Sequence, residues 1–245
     1  GGVMAQWFHA YEMDDELLQL VLRTVADSFP HVSLWTLFPG DLLLIATESP
    51  QNQLPADAKA RLARGMADLR GVDLHDLSGL LSLQALSPAQ LRAHFADGGE
   101  LHVDDKPLLE LRAPRALFRG GRATVVKNAD QRRGWPPAPG TLLSTQLPLA
   151  LTDVRLTTLR GLVRLHVRFA SAPASFRHEL LVELARRETD VAGLRAVVFT
   201  YGREGPLADA RLARDRLLKL APTDPASLFA IALVTQRLGE DGRRH

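Results

Sequence analysis

At 245 residues, with 46% hydrophobic and 24% charged residues, the chain is long enough for one large domain or two ordinary ones, and its composition excludes disorder throughout. It has no cysteine, which excludes disulfides, thiolate metal sites and a cysteine nucleophile. Its 30 basic and 28 acidic residues leave a net charge of +2 and acids interleave with the arginines, so the pI of about 9.3 makes no case for a nucleic-acid partner.

The opening residues Gly1-Gly2 followed by Val3 to Phe8 read as a turn and then a strand, with no signal-peptide pattern, and look like entry in mid-domain. Asp14, Asp15 and Glu16 mark a helix start, and Leu17, Leu20, Val21, Thr24 and Val25 recur at helical spacing until Phe29-Pro30 stops the run. His31 to Trp35 is a second strand, and Phe38-Pro39-Gly40 is a turn. Asp41 to Thr47 is a third strand, continuously apolar and so buried on both faces. It is also the most apolar stretch of the chain, and at strand length it is too short to span a bilayer.

Ser49 to Gln53 reads as a linker and Pro55 to Leu69 as helix. Ser87-Pro88-Ala89-Gln90 starts another helix, with serine at the N-cap and proline at the first position, that runs to Gly98-Gly99. Leu101 to Leu111 is expected to be extended and closed by Ala113-Pro114-Arg115. From about 120 to 140, Gly120-Gly121, Gln131-Arg132-Arg133 and Trp135 to Gly140 indicate a loop. Helices are expected over Phe176–Arg187, Val191–Tyr201, Pro206–Leu220 and Asp224–Leu238. The short Pro-x-Asp-Pro connection at 222–225 is similar to those of tetratricopeptide-type repeats.

Several of these segments, in this order, resemble the spermidine synthase family of polyamine aminopropyltransferases. The carriers are Gly1-Gly2-Val3, the helix after Asp14, Phe29-Pro30-His31-Val32, and Gly40 followed by the apolar strand Asp41 to Thr47. Gln6-Trp7 resembles the membrane-fused branch, as does His102-Val103-Asp104-Asp105-Lys106-Pro107 running on to Glu110 and Ala113-Pro114-Arg115. The resemblance implies an α/β fold: the three-strand C-terminal remnant of a Rossmann, methyltransferase-like sheet, then a mainly α-helical, tetratricopeptide-like region. The implied divisions are 1–49 for the end of the synthase domain, 50–119 for a docking segment, 120–150 for a linker and 151–245 for the helical region. In the methyltransferase pattern the last strand lies between the other two and runs antiparallel to both.

The resemblance implies aminopropyl transfer from decarboxylated S-adenosylmethionine, the family's co-substrate, to a polyamine. The parent would be anchored in the bacterial inner membrane, with this part cytoplasmic. The family's carboxylates and Gly-rich nucleoside loop belong upstream. No Gly-x-Gly-x-x-Gly stands here, so the chain is expected to contribute no catalytic residue and no metal ligand, and to bind no cofactor by itself.

Gln6, Trp7 and Tyr11 follow the first strand, at the carboxyl edge where doubly wound sheets bind ligands, and the resemblance implies that Gln6 or Trp7 lines the amine pocket. Trp35 and Phe38 end the second strand at the same edge, and aromatic faces attract cations. The competing role for Trp7, Trp35 and Phe38 is core or turn packing. His102 with Asp104 and Asp105, and His75 with Asp76, read as capped turns rather than metal sites, because adjacent strand residues point to opposite faces. Glu110 is expected to pair with Arg112 or Arg115, and Arg132-Arg133 to lie in a solvated loop. The alternative to an enzyme remnant is a non-enzymatic helical-repeat module that binds a protein partner.

Overall fold

In the computed structural model, residues 2–38, 40–50, 54–72, 74–96, 98–130, 132, 134–137, 139–148, 150–169 and 172–239 are described. Gly1, Pro39, Gln51-Asn52-Gln53, Gln131 and Arg133 lie outside them.

The chain opens with strand β1 (Val3–His9), helix α1 (Asp15–Ser28), and strands β2 (His31–Phe38) and β3 (Asp41–Thr47). Asp14 caps α1 by accepting from the Leu17 N–H at 2.8 Å, and Phe29 leaves the helix in an extended conformation, as the following proline requires. The buried side of α1 is wider than the spacing alone suggests. Leu18, Leu22 and Ala26 are buried along with Leu17 and Leu20, because the helix is covered by neighbouring helices as well as by the sheet.

β3 lies between β1 and β2 and is antiparallel to both, as expected. Its side chains alternate between two cores: Leu42, Leu44 and Ala46 on one face, Leu43 and Ile45 on the other. The sheet has four strands, not three. β4 (Gln84–Leu86) pairs antiparallel with the outer edge of β2, giving the order β1-β3-β2-β4. At three residues β4 is too short to show periodicity, and only its partner strand reveals it. Every neighbouring pair of strands is antiparallel.

Between β3 and β4 the described residues form three short helices, α2 (Ala58–Arg64), α3 (Met66–Arg70) and α4 (Leu77–Leu81). The helix expected over 55–69 is broken at Gly65, and Asp76 caps α4 through the Gly79 N–H at 2.8 Å. Helix α5 (Pro88–Phe95) begins with the expected serine cap, completed into a capping box by Gln90. Arg92 of α5 donates to the carbonyls of Ala26, Phe29 and Pro30 at 3.1–3.2 Å, satisfying the C-terminal end of α1.

The segment expected to be extended at 101–111 instead turns at 103–106 and enters a helix at Leu108. A tight turn pairs Val103 with Lys106, and α6 (Leu108–Arg119) follows, with Pro114 inside it. Leu108 and Ala116 on one side of α6 are buried against α1, and this tertiary contact overrides the extended bias of the proline-flanked sequence. Glu110 does not pair with Arg112: Glu100 takes both Arg112 and, at 2.6 Å, Lys106, while Glu110 faces His102.

The expected loop at 120–150 contains α7 (Val125–Ala129) and α8 (Leu142–Gln146). Asp15 of α1 holds the start of α7 by accepting from the Thr124 and Val125 N–H groups at 2.5 and 2.8 Å. A 3₁₀ turn at Leu151–Asp153 leads to α9 (Leu156–Phe169), α10 (Ala174–Arg187), α11 (Val191–Tyr201), α12 (Leu207–Leu220) and α13 (Pro225–Arg237). The last four lie within a residue or two of their expected bounds. One core joins α1, α5, α6 and α7 to one face of the sheet. The other joins α4 and α8–α13 to the opposite face through Trp35, Leu43 and Ile45. No helix among the described residues is long and apolar enough to cross a membrane.

Candidate functional site

Strand alternation divides the four expected site residues. Trp7 pairs with Leu43, Leu43 with Trp35, and Trp35 with Gln84, so the two tryptophans stand in one row on one face. Gln6 alternates to the other face, where its Nε2 donates to the Trp7 carbonyl at 2.7 Å. Trp35 is 8% exposed and its Nε1 donates to Ser33 Oγ at 2.9 Å. It borders a recess of about 40 Å³ with Ser33, Gln84 and Leu142, room for a water or two. Trp35 therefore packs as core.

Trp7 is 51% exposed on the edge strand. His9 follows on the same face, its ring centroid 6.0 Å from that of Trp7, and stacks on Tyr11 at 4.2 Å and 13°. His9 Nδ1 lies 2.6 Å from the Tyr11 carbonyl, and Tyr11 itself bridges to Arg122. The strand thus carries an aromatic run of Trp7, His9 and Tyr11 along its open side. Sequence reasoning passed over His9, although its place midway between Trp7 and Tyr11 at period two was the available signal. Phe38 sits apart from this run, edge-on to Phe169 at 4.8 Å.

Arg132 is not in a solvated loop. Its side chain is 1% exposed and forms a bidentate pair with Asp130 at 3.0 and 2.7 Å. It also donates to the Ser82 carbonyl and to Thr36 Oγ1, both at 2.7 Å. Ser82 Oγ donates to the Gly79 carbonyl at 2.6 Å and stands 2.8 Å from Nε2 of the fully buried His166. Burial, then the nearby Arg132 and Arg177 charges, hold His166 well below the ordinary histidine range, so it is neutral. With the Ser82 hydroxyl proton committed to Gly79, its oxygen accepts from His166, which places the ring proton on Nε2. This network ties Asp130 and Arg132 to β2, α4 and α9.

A larger cleft, about 490 Å³, opens between α10, α12 and residues 150–152. Leu151 and Val182 supply apolar wall, and His178, Glu179, Glu183, Arg186 and Asp209 supply charge. His178 Nε2 is 3.2 Å from Asp209, and Glu179 accepts the Trp135 N–H at 2.6 Å. Glu183 lies 3.9 Å from Arg186 and 3.7 Å from Arg187, beyond hydrogen-bond distance. Tyr201 is fully buried with its ring edge-on to His178 at 6.4 Å. Its hydroxyl and His178 Nδ1 are buried without a hydrogen-bond partner. Burial first, then the Asp209 charge, push the Tyr201 hydroxyl above the usual tyrosine range, with Arg186 opposing.

Among the described residues no three histidine or acidic side chains come together to hold a metal ion. His102 instead accepts the Leu109 N–H from the first turn of α6 at 3.3 Å. Comparison with family models, with curated proteins and with solved structures finds no match to this chain.

Proposed function

We propose that this chain is the C-terminal part of a spermidine-synthase-like aminopropyltransferase, whose carboxylates and nucleoside loop are supplied by sequence upstream of Val3. The observation that carries the reading is the strand order. A helix-linked pair, β1 and β2, points the same way with the later strand β3 inserted antiparallel between them, which is the arrangement the family resemblance implies. In this reading the chain's own residues take no step in the transfer. Their part is the amine-side wall. Trp7 and Tyr11 are the exposed aromatics beside the open strand, and aromatic faces attract an alkylammonium group. The test is steady-state kinetics of the full-length protein with putrescine and decarboxylated S-adenosylmethionine. Trp7→Ala raises KM for the amine several-fold with kcat little changed. An unchanged KM removes Trp7 from the site.

A second reading applies to the helical region, as a module that docks a partner protein. It rests on Phe199 of α11 and Phe229 of α13, both substantially exposed with ring centroids 6.5 Å apart. Paired exposed aromatics mark interaction surfaces more often than chance exposure does. Phe199→Ser with Phe229→Ser abolishes co-purification of a specific partner if the reading holds, and leaves it unchanged if it fails.

A further inference from the structure

We propose that helix α6 docks the protein on an anionic lipid surface, with its exposed apolar side in the headgroup region and its arginines on the lipid phosphates. α6 turns Leu108, Leu109, Ala113 and Ala116 toward the core it shares with α1. Its opposite side is apolar too. Leu111, Pro114 and Phe118 recur at i, i+3 and i+7, so they form one row along the helix, with Leu117 beside it. Leu111 is 65% exposed, Leu117 50% and Phe118 90%. One exposed leucine needs no explanation, but three large apolar side chains within two turns make a patch that marks a contact.

The charge beside the row identifies the occupant. From Leu111 to Ala129 the chain carries five basic residues, Arg112, Arg115, Arg119, Arg122 and Lys127, and no acidic one. Glu100 takes Arg112. Arg115 and Arg119 are exposed along one flank of the row and have no ion-pair partner among the described residues. Glu110 lies across the row from them and faces His102. Asp104 and Asp105 precede the helix in the turn at 103–106, and Glu12 and Asp15 meet the chain past it, at Gly121 and Thr124. A helix with leucine and phenylalanine on one side and arginine beside them is the form that lies in a membrane interface. There the apolar side chains reach the acyl boundary and the guanidinium groups pair with phosphate. At 90% exposure Phe118 stands out as a ridge and lines no groove. A fluid lipid surface accepts a ridge without the shaped pocket that a protein partner would have to provide.

The test is flotation of the 245-residue chain with vesicles of phosphatidylcholine alone and of phosphatidylcholine mixed with phosphatidylglycerol. Binding is expected to the mixed vesicles, weakening as salt screens the arginines. Arg115→Gln with Arg119→Gln lowers the partition coefficient on the order of tenfold. Leu111→Ser with Phe118→Ser lowers it several-fold or more. Both pairs alter exposed side chains, and unchanged circular dichroism checks that the fold is kept. Because the chain has no cysteine, Phe118→Cys carries an environment-sensitive fluorophore at one place. Its emission is expected to shift to the blue with the mixed vesicles. The same dye at Leu207→Cys, on α12 in the core across the sheet, is expected to stay unchanged. Equal binding to both vesicle types, or binding unmoved by both variant pairs, overturns the proposal. So does no binding to either vesicle, which would leave the row to an anionic protein. A shift at Leu207→Cys and none at Phe118→Cys places the contact away from α6 and overturns the site.

Discussion

Trp7 and Trp35 occupy one row of the sheet with Leu43 between them, yet one is half in solvent and the other sealed in the core. The difference follows from position. β2 is flanked by β3 and β4 and covered by the helices around α9, whereas β1 is the sheet's edge and that face of it is open. Trp35→Ala is expected to cost about 3–5 kcal/mol in urea unfolding, from lost burial and the cavity left behind. Trp7→Ala is expected to cost under about 1 kcal/mol. Equal costs would mean that the open face of β1 is covered in solution.

Removing Arg132 leaves the Asp130 carboxylate buried without its cation, and also strips a donor from Ser82 and Thr36. Arg132→Met is therefore expected to destabilise by about 3–5 kcal/mol. Arg132→Met with Asp130→Asn is expected to recover part of that loss, because the charge left behind is gone. A double-mutant cycle by urea denaturation measures the coupling. Strictly additive effects would show that the pair does not act as a unit.

Acid is expected to destabilise the protein in two stages. The unfolded chain protonates His166 near its ordinary value of 6.5, while the folded chain keeps it neutral to a well lower pH. The unfolded state then binds more protons, so stability falls as pH drops below about 6.5. The second stage comes from carboxylates. The Arg160 hydrogen bonds, at 2.6 Å each, hold Glu188 below its usual range against burial, with help from the Asp190 and Thr189 N–H groups. Burial pulls Asp15 upward, but hydrogen bonds from Thr124 and Val125 outweigh it and hold it low. Stability from these groups is present above the ordinary carboxylate range and lost as pH falls through their lowered values. His166→Gln should abolish the first stage and leave the second. Urea midpoints as a function of pH decide it, and an unaltered first stage in that variant would assign it elsewhere.

β1 offers unpaired backbone groups on its outer side, with Val3 and Trp7 exposed beside them. Amides of β1 not bonded to β3 are expected to exchange fastest among the strands, and amides of α9–α13 slowest overall. Hydrogen exchange followed by mass spectrometry checks this. Uniformly slow exchange across Val3–His9 in a monomer would show that this edge is closed in solution.

The legible part of the fold is the part that local rules control. β3 announced its central place because residues 41–47 are apolar on both alternations, and α10 to α13 announced theirs through helical spacing and proline-bounded connections. What failed depended on partners distant in sequence. Ala113-Pro114-Arg115 read as the close of an extended segment, but the buried sides of Leu108 and Ala116 hold α6 helical against α1. Arg132 looked like a loop cation, and only the folded chain brings Ser82 and Thr36 to it, 50 and 96 residues away. The site was half legible. Trp7 and Tyr11 do share one exposed run, but its middle member, His9, went unread. The strand pleat sends Gln6 to the opposite face, and the helices of the second core bury Trp35. The cleft at His178 and Asp209 joins two helices, and no spacing along the chain encodes it.

On the proposed reading, this chain would be the wall of a transferase site completed by upstream sequence. The most direct measurement is transfer of a labelled aminopropyl group from decarboxylated S-adenosylmethionine to putrescine, with residues 1–245 alone and with the full-length protein side by side. On that reading, residues 1–245 show no transfer and the full-length protein shows saturable transfer, carried by an upstream Gly-rich loop and paired carboxylates. Absence of transfer by the full-length protein, with no such loop or carboxylates encoded upstream, would contradict it.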